Sequence, residues 1–154
     1  MPTVNVTERK VAPRLDTGLL AGAVAGIVVW VWMLLIGALG DGGAADYPVF
    51  LSGLVLGDTV LTDPVFGLDW LVGTAVHFVT WGLIGIIWAL VWPRVRQYGT
   101  FSPALIFAIV MYVLIEQLIG RLINPAIVDA IGFTGLWIGY LLGGFTLAWR
   151  YRSA

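Results

Sequence analysis

Three ionisable side chains interrupt long apolar stretches of this sequence: His77, Glu116 and Arg121. Such groups are rare in hydrocarbon and mark ion paths, proton relays, ligand contacts or partner contacts when they occur there. Histidine titrates near neutrality, so a His–Glu pair could pass a proton or hold a ligand. It could equally be a buried pair that fixes helix register. Thr74 and Thr80 flank His77 at helical spacing, Tyr112 lies one turn before Glu116, and Gln117 precedes Arg121 by four residues, in contact range on one face. His77, Glu116, Arg121, Gln117, Thr80 and Tyr112 form the candidate polar site. Glu116 and Arg121, five apart, point away from each other on an α-helix.

The same residues argue against several chemistries. One histidine with one glutamate is a thin zinc site, and one histidine cannot supply both axial ligands of a haem. No serine stands at a spacing that would place it beside His77. The chain contains no cysteine, which removes disulfides, thiolate metal sites and Cys nucleophiles. No catalytic residues, metal or cofactor are expected.

The elements that must position these groups are read from hydropathy. The 154 residues are 60% hydrophobic and 11% charged, with mean hydropathy +0.96. A soluble chain is about 25% charged, so lipid must solvate much of this one. About 20 apolar residues cross a bilayer as a helix. Four stretches qualify, at about 17–39, 70–92, 101–123 and 130–149. Continuous rather than alternating apolar runs favour helices over barrel strands. The polar stretch 1–16 lacks a cleavage pattern, so the first span is expected to be retained. Pro93 and Pro125 are expected to end the second and third spans, and Pro103 to lie in the first turn of the third. Trp70, Trp88, Trp92, Tyr98, Trp149 and Tyr151 are expected at the interfaces.

Charge gives a direction. Arg9, Lys10 and Arg14 precede the first span, Arg94 and Arg96 separate the second and third, and Arg150 and Arg152 follow the fourth. The first loop instead carries Asp41, Asp46, Asp58, Asp63 and Asp69. The positive-inside rule then puts both termini in the cytoplasm of a multi-pass cell-membrane protein. An acidic loop of roughly 30 residues faces outside, with a short turn at Asn124–Asp129. The apolar stretch Val49 to Leu56 in that loop is too short to span and is expected to lie on the interface or to re-enter the bundle. On this orientation His77 and Glu116 share one depth, about 10 Å below the outer surface.

Gly18, Gly22 and Gly26 recur every four residues in the first span, as do Gly135, Gly139 and Gly143 in the fourth. Each set lines one helix face and permits close backbone approach, within the bundle or to another protein. With net charge −1 and no basic face, no nucleic-acid partner is expected.

The Gly/Ala-rich segment from Gly18 to Met33, the stretch Pro48 to Gly57, and the run Gly73-Thr-Ala-Val-His77-Phe-Val-Thr-Trp-Gly82-Leu-Ile-Gly85 together resemble a group of small four-helix prokaryotic integral membrane proteins of unknown function. The resemblance implies the four-helix topology and singles out His77. It departs at Gly132-Phe133, where a second histidine would fall. The resulting expectation is an all-α, single-domain, non-enzymatic accessory subunit that packs through its glycine faces onto a larger membrane complex or onto itself. The alternative is an oligomeric small transporter or channel using the His77–Glu116 level.

Overall fold

The computed structural model describes residues 15–40, 43, 46–62, 65, 67–131 and 133–152. Arg9, Lys10, Arg14, Asp41, Asp63 and Gly132 lie outside the described residues. The described chain is helical: α1 (Leu15–Leu39), α2 (Asp46–Leu56), α3 (Thr59–Thr62), α4 (Leu68–Val95), α5 (Phe101–Met111), α6 (Arg121–Ile123), α7 (Pro125–Ile131) and α8 (Phe133–Arg152). A 3₁₀ turn at Arg96–Tyr98 extends α4, and a π-helical segment at Tyr112–Gly120 joins α5 to α6. Three of these stretches are long and apolar enough to cross a membrane: Leu15–Leu39, Leu68–Tyr98 and Phe101–Ile123.

Leu19, Leu20, Ile27, Val31 and Leu35 of α1 face outward, as do Leu71, Val79, Leu83 and Ile87 of α4 and Ile106, Val110 and Val113 of the third long helix. Glycine, alanine, tryptophan, tyrosine, His77 and Glu116 face inward. Branched aliphatics thus cover the outside and small or polar-tipped residues fill the inside. Helices that are apolar on every face belong in lipid or in the core of a larger body.

α1 is the central element, packing on α4 and on α8, while α8 also packs on α5. Both glycine faces are covered from within the chain. A Cβ on Gly22 would strike the Trp81 carbonyl, and one on Gly18 would come within 2.7 Å of the Gly85 carbonyl. Gly85 reciprocates on α4, where a Cβ would reach the Gly18 carbonyl. On α8, Gly135 and Gly139 lie over Met33 and Val29, and Gly143 leaves the slot that the Trp81 ring fills.

Several expectations change. Helix α4 runs through Pro93 to Val95, because a proline in the last turn forfeits one hydrogen bond where the helix is about to end. Trp88 and Trp92 are buried between helices. The Trp88 ring meets Phe107 edge-on at 5.3 Å, and the Trp92 ring meets Tyr151 at 6.0 Å. The Asn124–Asp129 turn is largely helix α7, with Pro125 in the first helical position, where its missing N–H costs nothing.

Apart from Asp16 at the start of α1 and Arg121, which pairs with Asp129, the described charges separate by end. Arg152 reaches the Thr100 hydroxyl at 3.5 Å, and Tyr151 lies beside Gly18. The start of α1, the Arg94–Thr100 connection and the end of α8 therefore share one end of the bundle. Asp46, Asp58, Asp69 and Asp129 lie towards the other.

Candidate functional site

His77 stands nine residues into α4 and is 2% exposed. Its Nε2 lies 2.9 Å from the Gly26 carbonyl. A carbonyl only accepts, so Nε2 carries the proton. In the neutral ring Nδ1 is then the acceptor, and it takes the Tyr47 hydroxyl at 3.3 Å. The close approach of α1 to α4 at Gly26 makes this cross-helix bond possible. Trp30, Phe78, Tyr47 and Trp81 surround the imidazole, with the Trp30 ring centroid nearest at 4.8 Å.

Tyr47 comes from the first turn of α2. Pro48 and Ser52 of that helix rest on Gly73, where a Cβ would collide with the Pro48 carbonyl. The chain therefore folds back after α1 and brings the start of α2 to the level of His77. Its far end is held by Asn124, whose amide donates to Asp58 at 2.5 Å and to the Gly53 carbonyl at 3.5 Å.

Glu116 sits in the π-helical segment and is 7% exposed. Tyr140 of α8 donates its hydroxyl to Glu116 Oε1 at 2.6 Å. Oε2 accepts no hydrogen bond among the described residues. Short charge-assisted bonds of this type are about twice as strong as neutral ones.

A cavity of about 80 Å³ joins the two groups. His77, Tyr47, Glu116, Tyr140, Thr80 and Trp81 line it, and its remaining wall is aliphatic, including Val29, Leu51, Leu54 and Ile84. One water needs roughly 15 Å³ of such space, so about five would fit. His77 and Glu116 thus face one cavity without bonding to each other; each has its own tyrosine.

The other predicted site residues lie elsewhere. Gln117 donates to the Tyr112 hydroxyl at 2.8 Å and accepts from Arg121 Nε at 3.2 Å, and Arg121 pairs with Asp129 at 2.9 Å. This ladder starts at the half-buried Tyr112, runs over the exposed Gln117 and Arg121 to Asp129 of α7, and takes no part in the cavity lining. Tyr112 and Gln117 are five residues apart, the spacing that a π-helix brings into line. Thr74 bonds back to the Trp70 carbonyl at 2.6 Å and is absent from the cavity lining.

Sequence reasoning missed Tyr47 and Tyr140. A lone hydroxyl among the α8 glycines was a signal for Tyr140, since a buried phenol seeks a partner. Tyr47 carried none, because its place depends on how the first loop folds back. Among the described residues no three His, Cys, Asp or Glu side chains gather as a metal site.

Comparison with protein-family models, curated proteins and solved structures returns no match.

Proposed function

We propose that this chain is a four-span cell-membrane protein with both termini in the cytoplasm, and that it binds a small polar solute in the His77–Glu116 cavity as a transporter or solute-binding protein rather than an enzyme. In this reading α8 is the fourth span, and α2 is a re-entrant helix that roofs the cavity from the outer side. The observation that carries it is the cavity itself. Six side chains with hydrogen-bonding groups, Tyr47, His77, Thr80, Trp81, Glu116 and Tyr140, converge on a space of several waters inside a bundle whose exterior is apolar. Intramembrane ionisable groups facing a cavity mark substrate and ion pathways. The segregation of Arg94, Arg96, Arg150 and Arg152 from the acidic end supports the orientation. Because the cavity lies within one chain, no oligomer is required to build it.

An accessory-subunit reading draws on a different feature. The glycine faces are occupied internally, but the Tyr112–Gln117–Arg121–Asp129 ladder presents polar groups on an apolar surface, where a neighbouring membrane subunit or a second copy would cover them.

The absence of native cysteine makes a direct test possible. Thr80→Cys should react with a small, membrane-impermeant methanethiosulfonate added outside intact cells, and the outward-facing Val79→Cys should not. If Thr80→Cys is reached from neither side, the cavity is a sealed packing void and the solute-binding reading fails.

A further inference from the structure

We propose that the occupant of this cavity is a small organic cation, a primary ammonium carrying two or three carbons; the inference rests on the solute-binding reading above. The hydrogen-bond inventory points to it. Three of the donors near the cavity are committed to the protein: Tyr140 to Glu116 Oε1, Tyr47 to His77 Nδ1, and His77 Nε2 to the Gly26 carbonyl; the Thr80 hydroxyl and the Trp81 indole N–H remain. The rest of the open capacity is accepting. Glu116 Oε2 is unpartnered among the described residues, and the two phenol oxygens keep lone pairs. Thr80 adds a hydroxyl that can accept as well as donate.

Charge points the same way. No lysine or arginine lines the cavity, so an ionised Glu116 would take its counter-charge from the occupant, and without one it holds a proton. An anion would face the carboxyl with no cation beside it. A neutral polar solute would leave the carboxyl protonated, whereas a cation pairs with the carboxylate.

The walls separate an organic cation from a metal ion. A hard cation is satisfied by about six or more oxygens. The oxygens this cavity offers are a carboxylate, two phenols and one hydroxyl, and much of the remaining wall is aliphatic, including Val29, Leu51, Leu54 and Ile84. An alkylammonium puts its three donors on the oxygens and its carbons on the aliphatic wall. The Trp81, Tyr47 and Tyr140 rings add cation–π attraction. A space for about five waters excludes bulky amines.

The test is isothermal titration of the full-length purified protein in detergent with ethylammonium chloride, sodium chloride and ethanol, in parallel for the wild type and Glu116→Gln. Ethylammonium should bind saturably, and sodium chloride and ethanol should give no saturable heat. Glu116→Gln should weaken ethylammonium about thirtyfold or more, as removal of one partner of a buried charge pair does. Equal ethylammonium affinity in the two proteins overturns the proposal, and so does saturable sodium binding. Should Glu116→Gln not fold, the wild type decides alone: ethanol binding as well as ethylammonium overturns the cation and leaves the solute-binding reading standing. No binding of any probe, with Thr80→Cys unreachable, ends both.

Discussion

Tyr140 and Glu116 meet at 2.6 Å across the interface between α8 and the π-helical segment. Removing the phenol oxygen leaves the buried carboxyl without its protein donor, and an unsatisfied buried acceptor costs about 1–3 kcal/mol. Tyr140→Phe should therefore lower the thermal unfolding midpoint measurably in detergent. Tyr112→Phe keeps the half-buried ring and loses only an exposed hydroxyl bond to Gln117, and should shift stability by no more than about 0.5 kcal/mol. Equal effects of the two would mean that the Tyr140–Glu116 bond contributes nothing special.

Glycine substitutions should sort by what a methyl would meet. At Gly22 it would strike the Trp81 carbonyl, which is backbone and cannot step aside. At Gly135 it would find nothing closer than 3.6 Å, the ends of Ile36 and Met33. Gly22→Ala is expected to destabilise by about 1–3 kcal/mol. Gly135→Ala should be neutral or slightly stabilising, because alanine has the higher helix propensity. Chemical or thermal denaturation of the two variants side by side reads the difference.

Orientation can be checked with cysteines at exposed sites. Thr59→Cys, beyond α2, should label with an impermeant maleimide on intact cells. Gln97→Cys, in the 3₁₀ turn after α4, should label only after lysis. The reverse pattern would invert the proposed topology.

Asn124 ties the end of α2 and the Asp58 region to the start of α7. Asn124→Leu should cost about 1–3 kcal/mol and should raise amide exchange across 46–62 while leaving α1 protected. Uniform protection in both proteins would show that the tie does not hold α2 in place.

How much of this was legible beforehand differs by feature. The three long apolar helices are visible in hydropathy because lipid demands continuous runs. Counting along the spans put His77 and Glu116 at one depth, and the two side chains line one cavity. Facing was harder. Tyr112 and Gln117 were grouped with the polar pocket, but Gln117 is exposed and Tyr112 packs half-buried against Trp137, its hydroxyl taken by Gln117. The role of Tyr47 depends on α2 folding back onto Gly73, a tertiary contact that no periodicity encodes. The glycine repeats announced close packing correctly but named no partner, since a bare backbone accepts any neighbour of the right shape.

The π-helical segment has a consequence for the length of the third long helix. Inward residues fall at Ala104, Phe107, Ala108 and Met111, then after a step of five at Glu116, and after a step of four at Gly120 and Asn124. That five-residue step is what one inserted residue does to an α-helix. Removing a single residue near Val113 would restore ordinary phase, so a deletion that would wreck α1 or α4 has here a way to be absorbed. The helix would survive, and the carboxyl, now four residues after Met111, would still face inward. Forcing α-helical phase on the segment at its present length would instead turn the carboxyl by about one hundred degrees and out of the cavity, so the aim of the acid depends on the irregular turn only at this chain length.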